Sequence, residues 1–494
     1  MKLTRLTAAL MAAGVVLPAF AAPTATPDPA LLEKLMNRLE KLESQNAALE
    51  KEVKTLKGEN ERIAVALESP RLSEEEPDIT VRLKAVEKDA LGMKKAAKIA
   101  ESFDGIKVGA SLVTVAQTAR GLPRGVENGV SQLNYRADMS VELPLAPISD
   151  IEHKLFAHIR FGQGQGLNSA FTNLGHFASA PNAMAFRASG LDPDNSVAIL
   201  GQAWYQAAIP LPYGGFKPYS RESLELTFGK MDIFGFFDQN AAAGDESKQF
   251  LSSVFVHNPL LDAGGEVGVD ANGFQPGFIA AYRNFFDKTQ PWKLSLGIFG
   301  AGSKGANYQR SLSSPLVMLQ AEQQLKLFGG LNGNYRAYLW NRSQGNDFDN
   351  TQARHTGVGV SIDQRVGDGV NLFTRYGKLV KGELKFNQAL TLGAEFSGSY
   401  WSRGADSIGV ATAWLQSGKG YRNSTATAWL DGNQTQAAYS FTPEGAEKVT
   451  EFYYRYRMSP QFELSPDFQY ITNAGGYADA KAVKVFALRA NIAY

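Results

Sequence analysis

The sequence predicts an all-β transmembrane barrel of about sixteen antiparallel strands, preceded by an N-terminal α-helical coiled-coil stalk. Three observations predict this fold. From about residue 105 onward the hydrophobic period is two, with an apolar and a polar face on each strand. The connections between these strands fall into a short and a long population. Before them, apolar residues instead recur at steps of three and four, the spacing of a helix.

The composition excludes several classes of protein. The 494 residues carry a formal net charge of +1, so no nucleic-acid partner is expected. The absence of cysteine excludes disulfides and thiolate zinc sites. The histidines lack the spacing of a metal site, and no nucleotide-binding or serine-hydrolase motif occurs. The sequence therefore predicts no enzyme, no cofactor and no metal, with a catalytic site built across strands as the residual alternative.

Residues 1–21 have the features of a secretory signal peptide. Lys2 and Arg5 make a basic start, an apolar run follows from Leu6 to Val16, and Ala19-Phe20-Ala21 is a cleavage site of the A-x-A type. A membrane anchor is the weaker alternative because the apolar run is short. We expect the mature chain to begin near Ala22, outside the cytoplasm.

Residues 22–103 are expected to form a coiled-coil stalk and a linker. One heptad position is occupied by Leu32, Leu39, Asn46, Val53, Asn60 and Leu67. The other is occupied by Leu35, Leu42, Leu49, Leu56 and Ile63. A seam this narrow over about five heptads requires partner helices, whereas a lone amphipathic helix is the alternative. The acidic stretch between Pro70 and Pro77 is the linker, and a shorter helical pattern follows it.

Residues 104–494 are expected to form the barrel. In the segment at 132–143, six polar residues share one face and six apolar residues share the other. Strands of this kind begin near residues 105, 130, 153, 198, 222, 277, 292, 316, 334, 356, 370, 388, 407, 448, 461 and 483. In a membrane the apolar face must point to lipid and the polar face then lines a water-filled lumen. A soluble propeller would show an internal repeat, and none is found.

Three stretches together resemble the carbohydrate-selective porins. They are Phe237–Ala241 with Asp245–Leu251, the R-G-x-D-x-x-G run Arg403–Gly409, and the C-terminal hairpin from Glu451 to Gly476. The resemblance covers most of residues 105–494. It implies a barrel in the bacterial outer membrane, surrounded by its lipids, that passes sugars by diffusion as a monomer or a trimer. The coiled-coil extension favours a homotrimer with its stalk in the periplasm.

The long connection at about 233–275 is the candidate for a loop that folds into the lumen and forms the pore constriction. Its polar residues Asp238, Asn240, Asp245, Glu246 and Lys248 are expected to set an electrostatic filter. The alternative is an external loop whose charges are simply solvated.

Strand parity places candidate solute-binding residues on the lumen wall. The arginines are Arg136, Arg160, Arg336, Arg342, Arg375 and Arg455, and the aromatic residues are Tyr338 and Trp340, with Trp204 and Tyr453 also facing inward. Arginine suits sugar hydroxyls and carboxylates, and aromatic rings stack on sugar rings. Alternatively, the arginines neutralise carboxylates on the wall and the rings pack against the loop.

These features predict a water-filled diffusion channel for small polar solutes, with saccharides favoured. The arginines leave a channel for phosphate, organic acids or other anions as an alternative. A second alternative is a structural tether, in which the stalk reaches peptidoglycan or a periplasmic partner and the barrel serves as an anchor.

Overall fold

The computed structural model describes residues 51, 53–58, 105–122, 129–173, 176–177, 180–186, 195–212, 220–262, 273–302, 305–306, 313–430 and 443–494. The chain divides into two compact units, Met1–Ser102 and Phe103–Tyr494. In the first unit only residues 51 and 53–58 are described, and they are helical. The rest of the predicted signal peptide, stalk and linker lies outside the described residues. In the described part, no helix is long and apolar enough to cross a membrane.

The second unit is a closed antiparallel barrel. Its strands are β1 (Lys107–Arg120), β2 (Val130–Ile148), β3 (Ile151–Gln163), β4 (Val197–Leu211), β5 (Glu222–Asp232), β6 (Phe274–Asn284), β7 (Trp292–Gly302), β8 (Gly305–Ala306), β9 (Pro315–Leu327), β10 (Leu331–Asn346), β11 (Gln352–Gly367), β12 (Val370–Lys381), β13 (Phe386–Ser397), β14 (Ser407–Ser417), β15 (Ala446–Arg457), β16 (Phe462–Thr472) and β17 (Val483–Ala493). The two-residue β8 pairs only with β7, and β7 also pairs with β9, so sixteen of these seventeen strands make up the barrel wall.

Closure of the wall satisfies the backbone hydrogen bonds that lipid cannot satisfy. Each wall strand pairs with the next, and β1 pairs with β17 in the register Leu112↔Ile492. The predicted number of strands is confirmed, and their predicted beginnings agree with the structure, the largest difference being residue 356 against Gln352. Short elements such as β8 carry too few residues to show a period and were not predicted.

The predicted orientation of the two strand faces agrees with the structure. On β2, Leu133 is 66% exposed and Met139 49%, whereas Asn134 is 2% and Arg136 5% exposed. The exposed apolar side chains point away from the barrel axis, where lipid replaces water, and the polar side chains point inward.

The two ends of the barrel carry different connections. Residues 149–150, 328–330, 368–369 and 458–461 form short turns at one end, where β1 begins and β17 ends. Long loops at the other end include 164–196, 233–273 and 418–445, and they contain the helices α1 (Asn168–Asn173), α2 (Ser253–Val256) and α3 (Lys419–Leu430). All three of these long loops lie at the end opposite these short turns, an arrangement that the sequence alone did not resolve.

Aromatic rings on the inner wall lie over glycines of the neighbouring strand. The register pairs are Phe299↔Gly277, Tyr338↔Gly359, Trp340↔Gly357, Phe373↔Gly393 and Tyr453↔Gly409. A Cβ at Gly357 would come within 2.1 Å of the Trp340 ring, and one at Gly409 within 2.1 Å of the Tyr453 ring. The glycines thus allow the rings to lie flat on the wall, where they form a floor for an incoming loop.

Candidate functional site

The connection after β5 folds into the barrel. Residues 233–262, here called the inward loop, begin with a short 3₁₀ helix, Ile233–Gly235, whose first turn is capped by the Asp232 carboxylate accepting from Phe234 N at 2.9 Å. Phe237, Phe250 and Phe255 of the loop are fully buried. Their burial against the aromatic floor of the wall supplies the apolar part of the docking energy.

Asp238 anchors the first half of the inward loop. Its carboxylate lies 3.2 Å from Arg375 Nε and accepts from Tyr338 Oη at 2.7 Å and from Asn258 N at 2.6 Å. Arg375 also donates to Phe255 O at 2.5 Å, and its side chain and that of Asp238 are both 0% exposed. A fully paired charge cluster of this kind fixes the loop against β10 and β12.

Glu451 and Arg489 on the wall anchor the second half of the inward loop. Glu451 accepts from Leu251 N at 2.5 Å and from Ser252 N at 3.0 Å. Arg489 donates to the carbonyl oxygens of Glu246 and Gln249, both at 2.7 Å. The loop backbone is therefore held by side chains of β15 and β17.

The three stretches that carry the porin resemblance meet at one junction. Gln249 donates to Glu395 at 3.1 Å, and the Tyr453 hydroxyl donates to the same carboxylate at 2.7 Å. Phe250 meets the Tyr453 ring edge-on at 5.0 Å, and that ring lies over Gly409. The first stretch thus docks on the third, and the last residue of the R-G-x-D-x-x-G stretch makes room for the contact.

The beginning of the R-G-x-D-x-x-G stretch has a separate role at the short-turn end. Asp406 accepts from Arg403 Nε at 2.5 Å, from Tyr454 Oη at 2.5 Å and from Arg457 N at 3.0 Å. Burial raises the pKa of Asp406, but the hydrogen bonds from Arg403 and Tyr454 outweigh it and lower the pKa to about 2. This carboxylate fastens the β13–β14 turn to β15.

A second loop also enters the lumen, which the sequence analysis did not predict. Asn182 donates to Asn134 Oδ1 at 2.7 Å, and Gln469 of β16 donates to Pro181 O at 2.8 Å. Two backbone hydrogen bonds join the loops, Ala183 N to Leu251 O at 2.7 Å and Ser253 N to Ala180 O at 3.0 Å. The length of the 164–196 connection was the available signal, but length alone does not give direction.

Glu447 holds the same second loop near its start. It accepts from Phe177 N at 2.8 Å and from Gly475 N at 2.7 Å, and His176 Nδ1 lies 3.8 Å away. Burial lowers the pKa of His176 to about 3, so this imidazole is neutral at neutral pH.

The stems of the inward loop are joined by His257. Its ring stacks on Phe234 with centroids 3.7 Å apart, and Nδ1 lies 2.9 Å from Asp262 Oδ2. Burial lowers the pKa of His257, but the hydrogen bond and charge of Asp262, with the charges of Asp232 and Glu246, outweigh it and raise the pKa above the usual value. No pattern in the sequence indicates a role for this residue.

At Glu246 the inward loop meets a charged cluster on β2 and β3. Arg136 lies 2.9 Å from Glu246 and 2.8 Å from Asp138, which in turn lies 2.6 Å from Arg160 and 2.8 Å from His158. We call these five residues the rim cluster. Three of its side chains keep modest exposure, 13% for Arg160, 18% for Asp138 and 22% for Glu246.

The structure divides the other predicted site residues into two groups. Asp238, Asn240, Arg336, Arg342, Arg375, Tyr338 and Trp340 are all buried. Their burial agrees with the alternative that wall residues pack against the loop and neutralise charge. Arg336, for example, lies 2.9 Å from Asp363 and 3.3 Å from Glu322. Asp245, Lys248 and Arg455 keep part of their surface exposed.

Comparison with known proteins agrees with this architecture. The family model of the carbohydrate-selective porins, the OprB family, matches residues 154–494. The high-pH structure of Pseudomonas putida OprB is 17% identical with a TM-score of 0.62, and covers 79% of this chain and 94% of that chain. The low-pH structure of Pseudomonas putida OprB is 13% identical, with a TM-score of 0.45, and covers 81% and 96%. A triple mutant of Rhodopseudomonas blastica porin is 10% identical, with a TM-score of 0.42, and covers 79% and 100%.

No curated protein matches the chain. The family model, however, extends from within β3 to the last residue, and so takes in both the inward loop and the wall residues that hold it. The chain therefore belongs to the OprB family of carbohydrate-selective porins, and it forms an outer-membrane channel for saccharides.

Proposed function

We propose that solutes cross the barrel beside the inward loop, past the exposed side chains of the rim cluster. The observation that carries this proposal is the fully paired Asp238–Arg375 anchor, which holds the loop inside the barrel. Rim residues with exposed surface, such as Arg160 and Glu246, then meet the solute. Both charge signs lie close together there, an arrangement that offers donors and acceptors to hydroxyl groups without a strong net field.

Planar-bilayer recording of the purified full chain tests this function. We expect ion conductance together with a partial, concentration-dependent block by glucose or a disaccharide. Glu246→Gln should change the block, because it removes the loop charge opposite Arg136. A barrel without measurable conductance, or one that sugars never block, would contradict the proposal.

The anion channel is the weaker alternative at this constriction. Arg136, Arg336 and Arg375 each lie within 3.3 Å of a carboxylate oxygen, so their charge is balanced locally. A channel for phosphate or organic acids needs uncompensated positive charge along the path. The reversal potential in a salt gradient separates the two functions: weak selectivity supports the sugar channel and strong anion selectivity the alternative.

We propose an exported homotrimer whose signal peptide is removed and whose residues 22–103 form a coiled coil in the periplasm, where peptidoglycan is a candidate contact. Deleting residues 22–103 should reduce trimer content on a non-denaturing gel but leave conductance intact. If cells with the deletion lose envelope attachment although the channel still conducts, the tether function is supported instead. We expect no hydrolytic activity from either form.

A further inference from the structure

On the short-turn side of the rim cluster, an aromatic pair lies on the lumen wall. Along β3 the residues facing the lumen are Arg160, His158, Phe156 and Lys154 in that order, toward the short turn. Phe156 is in register with Trp204 of β4, and the two rings stack with centroids 4.8 Å apart and an interplanar angle of 21°. A solute that passes the rim cluster therefore meets these rings next.

These two rings differ from the aromatic floor under the inward loop. Tyr338, Trp340 and Tyr453 are buried by the docked loop, but Phe156 and Trp204 are only half-buried. Phe236 at the loop's start meets Trp204 edge-on at 5.7 Å and supports it without enclosing it. Apolar ring surface that stays exposed in a wet lumen gains free energy when a ligand covers it.

Polar groups frame the pair. Lys154 Nζ lies 5.6 Å from the centre of the Trp204 ring and 2.7 Å from Glu142, which also pairs with Lys107 at 2.8 Å. On the other side Gln202 accepts from Trp204 Nε1 at 3.2 Å. A flat apolar surface bordered by a carboxylate, an ammonium and an amide is suited to a ring with an apolar C–H face and hydroxyls at its edge.

We infer that Phe156 and Trp204 form a binding subsite for a pyranose ring below the constriction, with Lys154 and Glu142 as its hydrogen-bonding border. This inference rests on the proposed function, since it gives that sugar path a second contact point. The subsite favours cyclic sugars over open-chain polyols of the same size, because only a ring presents a continuous apolar face to the aromatic pair. The rim cluster, by contrast, forms hydrogen bonds with hydroxyl groups, which both kinds of solute carry.

The test compares glucose with mannitol, a six-carbon polyol without a ring, on the full chain in planar bilayers and in liposome-swelling assays. We expect wild type to be blocked by glucose at lower concentration than by mannitol. Trp204→Ala should weaken the glucose block about two- to tenfold and weaken the mannitol block far less. Trp204→Phe should retain most of the preference. Tyr205→Ala, on the same strand but facing outward against Phe228, is the matched control and should behave as wild type.

The outcomes separate this inference from the proposed function. If wild type conducts ions and is never blocked by glucose, the proposed function fails and the subsite with it. If wild type prefers glucose and both Trp204→Ala and Phe156→Ala keep that preference, the sugar channel stands and the subsite is refuted. An equal block of wild type by glucose and mannitol also refutes the subsite.

Discussion

Replacing Asp238 by asparagine removes the charge at the centre of the loop anchor and little else. Asparagine has the same shape, tolerates the positive φ of 54° at this position, and keeps an oxygen that can accept from Tyr338 or Asn258. The change leaves the Arg375 guanidinium without a counter-charge at a site where its side chain is 0% exposed. Only neutral acceptors, including Phe255 O, remain for it.

Breaking a buried pair by removing one partner costs about 3–5 kcal/mol. At about 1.4 kcal/mol per tenfold, the ratio of docked to undocked loop should fall by roughly a hundred- to a few thousandfold. The wall strands keep their own hydrogen bonds, so the barrel itself should persist. We therefore expect Asp238→Asn to fold and insert, with a larger mean conductance and more open-channel noise than wild type.

Single-channel recording measures this effect, and limited proteolysis of residues 233–262 gives a second readout. Asp245→Asn is the matched control: it removes a carboxylate from the same loop, but this side chain is 45% exposed and lies 3.5 Å from Lys248, an ion pair worth at most about 1 kcal/mol. Asp238→Asn combined with Arg375→Met should recover much of the lost stability. Wild-type conductance and noise in Asp238→Asn would refute the anchoring role.

Gly409→Val should destabilise the folded barrel by about 1–3 kcal/mol, because its side chain would overlap the Tyr453 ring. The unfolding temperature of the barrel, followed on gels, measures this effect. Gly404→Val is the control, because nothing lies within 4 Å of a Cβ at that position. The pKa of His257 is raised, so the contribution of this residue to loop stability is complete below about pH 6.5 and is lost as the pH rises through the raised pKa. Channel noise should therefore increase with alkaline pH. His257→Gln should abolish this pH dependence. Asp406→Asn should lower the unfolding temperature without altering conductance, since it loosens the β13–β14 turn far from the inward loop; a changed conductance would contradict this assignment.

The wall could be predicted from the sequence because strand period and membrane solvation act on every residue in the same way. Leu133 and Arg136 had to face opposite sides whatever their neighbours were. The same parity placed Tyr338 and Arg375 on the inner face, but it could not say that Asp238 would bury them. That contact joins residues far apart in sequence, and its formation depends on where a long loop turns.

Inward-facing glycines are a sequence feature that strand parity alone does not interpret. Gly357, Gly359 and Gly409 interrupt strands at inward-facing positions, and each lies opposite an aromatic residue in the final register. Once neighbouring strands are aligned, such a pair predicts a ring lying flat on the wall. The rim cluster is harder to predict from the sequence, because Arg136 and Arg160 have the same strand parity and differ only in how fully carboxylates surround them in the structure.

The inward loop and the second loop together also have a mechanical consequence for the barrel. Their hydrogen bonds reach β2, β10, β12, β15, β16 and β17, so they brace distant parts of the wall from within, as cross-members brace a tube. A thin cylinder held only by its own circumference would flatten easily under lateral pressure from the lipid. With these internal braces, flattening must strain the Asp238 and Glu451 contacts, and the width of the passage is therefore coupled to the cross-section of the whole barrel.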